Sequence, residues 1–180
     1  MFPDSRRILV LVGTIASGKS TFTRRRAMSG NYLVVNDDAI VQAVHGGDYR
    51  LYDKKLKPLY KGVENQIAVT AIGLGYSVVV DRGVNLSIDS RRRWIGLGHS
   101  LDVPVEAVVF PFESAEAHAK RRAEKDGRGH GGAYWFEVAR SHIGRYEPPT
   151  LAEGFRAISE VRRTEDGDFV VLSEVERIAG

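Results

Sequence analysis

Apolar residues come in short blocks set off by helical stretches and glycine-containing breaks. Ile8 to Val12 is an unbroken apolar run that opens directly onto Gly13, the pattern of a strand buried on both faces that leads into a tight loop. Lys19 to Met28 then has the length and spacing of a helix, which Ser29-Gly30-Asn31 breaks. Tyr32 to Val35 predicts a second strand ending at Asn36-Asp37-Asp38, followed by a short helix to His45 and a loop at Gly46-Gly47-Asp48. Lys54 to Leu74 is long enough for an extended helix with Leu59, Val63, Ile67 and Ala71 on one face, and Pro58 either sits in its first turns or delays its start.

Ser77 to Val80 predicts a third strand, closed by Asp81. Ser87-Ile88-Asp89 has the chemistry of a helix start for Ser90 to Leu101, and Val105 to Phe110 predicts a fourth strand. Glu113 to Lys125 and Ala133 to Tyr146 have helical spacing on either side of an insertion rich in glycine, with Arg128 and His130 inside it, which suggests a mobile cover over residues 121–146. Phe155 to Val161 predicts a fifth strand, and Glu165-Asp166-Gly167-Asp168 a turn into a short last one, Phe169 to Leu172. Strands alternating with helices predict a parallel α/β sheet in three layers, formed by a single domain over residues 1–180.

A chain of 180 residues buries roughly 70% of its unfolded surface on folding, enough for a core of its own. With 43% hydrophobic and 27% charged residues and no apolar stretch of membrane-spanning length, it reads as a soluble domain with no membrane partner. The N-terminal segment lacks the features of a secretory signal, so cytoplasmic residence is the expectation. The absence of cysteine excludes disulfides, thiolate metal sites and cysteine nucleophiles. A net charge of +3 does not by itself imply a nucleic-acid partner. The cations are clustered, however, at Arg24 to Arg26, Arg91 to Arg93, the pair Arg121 and Arg122, and more loosely Lys54, Lys55, Lys57 and Lys61. Such runs commonly mark solvated helix faces, with a phosphate-rich ligand as the alternative.

The most specific feature is Gly13-Thr14-Ile15-Ala16-Ser17-Gly18-Lys19-Ser20, a phosphate-loop pattern lying between a predicted strand and a predicted helix. Gly13 and Gly18 permit a backbone path that aims the amides of residues such as Ala16, Ser17 and Thr21 at phosphate oxygens, and the helix that follows adds the positive end of its dipole. Lys19 would span the β- and γ-phosphates of ATP or a similar nucleotide, and Ser20 would ligate magnesium. The glycine spacing does not fit a dinucleotide fingerprint. Asp81, closing a strand, stands where a carboxylate reaches that magnesium, or else caps a turn. Asn36, Asp37 and Asp38, closing the neighbouring strand, would sit beside the triphosphate, where an acceptor hydroxyl needs a base; an Asx turn and helix cap is the other reading. Arg121, Arg122 and Arg128 flank the glycine-rich cover and could meet the charge of a transferring phosphoryl group. The five histidines are scattered and read as non-ligands, and Tyr134, Trp135 and Phe136 as core or cover packing. A nucleotide-dependent switch or motor is the rival class, but no Asn-Lys-x-Asp or Thr-Lys-x-Asp is present and Arg82, not glutamate, follows Asp81.

These residues, taken with His45-Gly46-Gly47, Asn85-Leu86, Arg91-Arg92-Arg93-Trp94, Gly127-Arg128-Gly129 and Tyr146-Glu147-Pro148-Pro149, resemble the polynucleotide-kinase-like branch of P-loop kinases. The resemblance implies a five-stranded parallel sheet ordered 2-3-1-4-5, a small C-terminal strand and a helical lid. It implies Asp38 as general base, with Asp37 as the fallback, and Arg122 and Arg128 as lid arginines on the phosphates. It also implies ATP and magnesium as cofactors, and as acceptor a nucleic-acid 5′ end or else a small hydroxylated molecule. Three residues after Asp38, where such kinases commonly carry an arginine for an acceptor phosphate, this chain has Val41.

Overall fold

The computed structural model describes residues 6–125, 129–164, 166 and 168–177. Strand β1 (Ile8–Val12) runs into the loop at Gly13 and then helix α1 (Lys19–Met28). β2 (Tyr32–Asn36) and α2 (Asp37–Val44) follow, then α3 (Lys57–Gly73), β3 (Ser77–Asp81), α4 (Ile88–Leu101) and β4 (Val105–Val109). Helices α5 (Ala115–Ala123) and α6 (Gly132–Gly144) pack on one another before β5 (Ala157–Arg163) and β6 (Phe169–Glu176).

The six strands form one sheet in the order β2-β3-β1-β4-β5-β6. The first five are parallel, as the alternation of elements and the family resemblance lead one to expect. The last strand is longer than expected and joins the same sheet antiparallel to β5. Because successive side chains of a strand point to opposite faces, Ile8, Val10 and Val12 face one layer and Leu9 and Leu11 the other. On the first face they meet Val35, Ile40, Val41, Ile72, Trp94 and Phe155, and on the second Phe22, Val79, Val108 and Phe110. No helix among the described residues is long and apolar enough to cross a membrane.

Three details differ from the expectation. Asn36 ends β2, but Asp37 and Asp38 lie in the first turn of α2, because the Asn36 side chain accepts from the Ala39 amide at 2.8 Å and caps the helix. The helix dipole favours carboxylates there. Lys54–Leu56 is a separate 3-10 turn, and α3 begins at Lys57 with Pro58 in its first turn. Its buried face carries Tyr60, Glu64, Ala68, Ala71 and Ile72; Leu59 is exposed, and Val63 and Ile67 are only partly buried. The helix is rotated from the purely apolar stripe so that it inserts Glu64, which pairs with Arg82 and Arg93.

Of the Arg91 to Arg93 cluster, Arg91 belongs to the interior. Its side chain is 0% exposed, bound in a fork to Glu153 at 2.9 and 2.8 Å, and it donates to the carbonyls of Leu86 and Glu147, both at 3.0 Å. It thereby ties α4 to the segment that precedes β5. Arg91→Ala would leave the Glu153 carboxylate buried without a cation, held only by the Thr150 amide at 2.9 Å, at a cost of about 3–5 kcal/mol. Denaturant unfolding of that variant should show a lower midpoint, and an unchanged midpoint would show that the fork carries no weight.

Candidate phosphate-binding site

The site forms where the C-terminal ends of β1, β2 and β3 meet. Register fixes this: Asn36 of β2 lies opposite Asp81 of β3, and the Asn36 side-chain amide donates to the Asp81 carbonyl at 3.1 Å. Asn85, 1% exposed, donates to the carbonyls of Leu11 at 3.2 Å and Val80 at 3.4 Å, joining the ends of β1 and β3.

The loop between β1 and α1 has little room to change. A Cβ at Gly13 would stand 2.7 Å from Ser17 Oγ and 2.9 Å from Phe110 Cβ, and Gly18 adopts φ +106. Ala16, not a glycine, also takes a positive φ of 50, a mild local strain of the kind that accumulates at binding sites. Lys19 is buried and folds back on the loop, where its ammonium donates to the carbonyls of Gly13 at 2.7 Å and Thr14 at 2.6 Å. Desolvation pushes it down to about 8, and the carboxylates of Asp81 and Asp37 recover only part of the loss. Burial likewise raises Asp81, against the pull of Lys19 and of the Thr23 and Ser20 hydroxyls beside it. The Ser20 hydroxyl and Asp81 carboxylate are hard oxygen donors of the kind magnesium takes, and they fit that ion.

Asp37 is pushed up to about 6, first by burial, with Arg82 opposing and Asp38 and Glu64 adding to the rise. Arg82, which sequence reasoning noted only as the residue after Asp81, is the centre of this group. Its Nε lies 3.1 Å from Glu64 and 3.7 Å from Asp37. Glu64, with a side chain 1% exposed, also pairs with Arg93, whose guanidinium stacks on Trp94 at 4.2 Å. The glutamate that α3 inserts is therefore shared by two arginines behind the site. Asp38 is half-buried beside these groups, its charge acting on both Asp37 and Asp81.

The lid helices contribute two buried histidines that sequence reading passed over, because a histidine in an ordinary helix gives no signal of its own. His118 of α5 accepts from the Glu113 amide at 3.0 Å and faces Arg121 at 3.1 Å, and it also reaches the Ile15 backbone of the phosphate loop. His142 of α6 packs near Gly83 in the β3–α4 loop, within the field of Lys19. Arg121 pairs with Glu113 at 2.8 Å. Arg122 lies over the buried Trp135 ring at 4.4 Å, and Tyr134 stacks on His130 at 4.0 Å, so these aromatics pack the cover. Arg128 lies outside the described residues. Among the described residues, no group of three or more potential ligands from His, Cys, Asp and Glu is placed to hold a metal.

A family model described as an AAA domain matches residues 8–149. The bifunctional polynucleotide phosphatase/kinase of Schizosaccharomyces pombe (strain 972) is 28% identical over 159 residues, which are 88% of this chain and 34% of that protein. A chain of the Pnkp1/Rnl/Hen1 RNA repair complex superposes with a TM-score of 0.64 at 21% identity, over 78% of this chain and 44% of its own. Chaetomium thermophilum Kti12, solved with ADP-AlF3, superposes with a TM-score of 0.55 at 17% identity, over 81% and 82% of the two chains. This chain thus spans about a third of the curated relative and under half of the RNA-repair chain.

The folded protein holds the Asp37 proton more tightly than the unfolded chain does between about pH 4 and 6. Stability from this group is therefore full below its ordinary carboxylate range and lost as pH rises through about 6, by at most about 3 kcal/mol. Urea unfolding of Asp37→Asn against the parent should show the variant gaining relative stability across that window and no further above about pH 7. A difference that does not change with pH would mean that Asp37 titrates normally.

Proposed function

The chain belongs to the AAA domain family of P-loop proteins, and on that footing we propose that it is a magnesium-dependent kinase. It would move the γ-phosphate of ATP to a hydroxyl, with the 5′-hydroxyl end of a polynucleotide as acceptor. The observation that carries this reading is the position of Asp37 and Asp38 in the first turn of α2, just beyond β2, in the electrostatic field shared by Lys19 and Asp81. A phosphate loop alone binds nucleotide; carboxylates beside it give an acceptor hydroxyl somewhere to put its proton.

In this mechanism Lys19 exchanges its bonds to the loop carbonyls for β- and γ-phosphate oxygens, which meet the charge that burial leaves poorly compensated. The backbone amides from Gly13 to Thr21 cradle the phosphates. Ser20 and Asp81 would hold the magnesium, which would supply neutralising charge. Asp38 takes the proton of the acceptor, while Asp37 stays engaged with Arg82. Arg122 leaves the Trp135 face to reach the transferring group, and Arg128 would share that role.

The polynucleotide acceptor is supported by the name of the Schizosaccharomyces pombe relative. Val41 is 4% exposed in the core and Arg91 and Arg93 face inward, so phosphates of the acceptor strand fall to other cations. Lys54 and Lys55 in the 3-10 turn before α3, and Lys57 and Lys61 in its first turns, are all exposed, and we assign that contact to them. One observation favours a small-molecule acceptor instead: an apolar groove of about 300 Å³ between α2 and α3, lined by Val34, Ile40, Val44 and Val63 and bordered by Asn36.

Asp38→Asn should lower turnover by roughly 10² to 10⁴ with little change in ATP affinity. The same loss in Asp37→Asn alone would move the base by one residue, and no loss in either would remove this base from the mechanism. A 5′-hydroxyl oligonucleotide should be phosphorylated with a KM that rises steeply with salt, each single-strand phosphate contact adding about 0.7 to the slope. Alanine at Lys54, Lys55 and Lys57 should flatten that slope. Efficient phosphorylation of a free nucleoside, sugar or antibiotic while oligonucleotides stay untouched would transfer the assignment to the small-molecule reading.

A further inference from the structure

Arg82 leans away from the phosphate loop. β3, which it follows, lies between β1, whose end carries that loop, and β2, which leads into the aspartates of α2. The Arg82 side chain crosses to the β2 side, where its Nε stands 3.1 Å from Glu64 of α3 and 3.7 Å from Asp37. A group bound there lies across the aspartates from the phosphate loop, on the side from which an acceptor has to enter for its hydroxyl to face the γ-phosphate.

The two ends of the guanidinium differ. Nε is enclosed, and although it lies within ion-pair distance of Glu64, neither it nor the Glu64 Oε1 makes a directed hydrogen bond. The terminal nitrogens Nη1 and Nη2 have no hydrogen-bond partner among the described residues, yet they are not enclosed: the side chain is 11% exposed, and the opening is at this end. Glu64 cannot take up these donors as well, because its Oε2 is bound by Arg93. Asp37 is too far from Arg82 for a hydrogen bond. Arg82 therefore has its charge met by Glu64 and presents a planar fork to solvent, beside the residue that precedes Asp38. Such a fork matches two oxygens of one phosphate.

The acceptor side needs a cation here. The sequence of α2 contains no lysine or arginine, and Val41 is buried in the core. A strand whose 5′-hydroxyl lies at Asp38 carries its nearest charge one nucleoside away, on the 3′ side. We propose that Arg82 binds that first internucleotide phosphate of the acceptor strand, Nη1 and Nη2 donating to its oxygens while Nε stays with Glu64. This rests on the polynucleotide reading of the acceptor and specifies which of its charges is held beside the reacting group. The exposed lysines before and within α3 then take phosphates farther along the strand.

The test uses the whole chain with saturating ATP and magnesium, and a short 5′-hydroxyl oligonucleotide that is either fully charged or carries one uncharged methylphosphonate, at the first or at the third linkage. In the unmodified protein the first-linkage swap should raise KM by about ten- to a hundred-fold, and the third-linkage swap should change it far less. Arg82→Gln should raise KM for the charged strand by a similar factor and make it insensitive to the first-linkage swap, with KM for ATP unmoved. Arg82→Lys keeps a cation beside Glu64 and so guards against a neutral variant that does not fold; it loses the fork, and the first-linkage penalty should shrink in it too. A merely structural role for Arg82 would lower stability without removing the penalty at one linkage. A first-linkage swap with no more effect than the third, or a full first-linkage penalty in a folded variant, would overturn the proposal. Oligonucleotides left untouched in every form, by a chain that phosphorylates a free nucleoside or sugar, would instead overturn the polynucleotide reading beneath it, and the proposal with it.

Discussion

The site depends on one interaction that is only half satisfied, the ammonium of Lys19 taken out of water and set against two backbone carbonyls. Neutral carbonyl dipoles answer a buried charge poorly, and the two carboxylates that could answer it are themselves destabilised by burial. The pocket therefore holds a lysine and two acids each displaced toward its neutral form. Such a group of mutually strained charges is resolved by an added polyanion and cation far better than by any rearrangement of the protein. The sheet maintains the strain, since the Asn36 to Asp81 register and the Asn85 bonds to Leu11 and Val80 fix the three strand ends relative to one another.

The arginines divide by how their charge is met. Arg91 is a structural strut, enclosed with Glu153 in the interior. Arg82 and Arg93 share Glu64, so the acid on α3 sets the charge balance directly behind Asp37. Removing Glu64 would take away the carboxylate that both guanidiniums share, and Asp37 would hold its proton less tightly. Arg122, by contrast, rests on an aromatic ring, a contact weak enough to exchange for a phosphate.

Much of this was legible in the sequence because it rests on local rules. The run Ile8 to Val12 ending at Gly13 announces a doubly covered strand and its loop, and every strand and helix of the frame has its own break or cap. Asn36 as a helix cap and Asp81 at a strand end follow the same logic. What escaped reading depends on side chains meeting across the fold. Glu64 and Arg93 lie 29 positions apart in the chain and Arg91 and Glu153 are 62 apart, so no spacing rule joins them. The arginine triplet looked like one patch, yet helical rotation sends Arg91 inward, Arg92 to solvent and Arg93 to Glu64. Leu59 misled for a similar reason, since the face of α3 was set by where a carboxylate was needed as well as by apolar spacing. The two histidines matter because of the lid's packing against the loop, which a one-dimensional pattern does not contain.

The order of strands also has a consequence for the time at which the site can exist. β1, the innermost and most apolar strand, pairs with β3 and β4, the nearest partner of Ile8 being Val78, about seventy residues later in the chain. At a ribosomal pace of roughly 5–20 residues per second, that strand waits for several seconds with both edges unpaired, and its tip is the phosphate loop. Only the β5–β6 ribbon is a local pairing, and it is made last. During synthesis the nucleotide site is therefore a late event, assembled on β1 by strands that leave the ribosome after it. A cell making this protein must shield a bare strand edge until Val78 to Asp81 and then Val105 to Val109 have emerged to cover it.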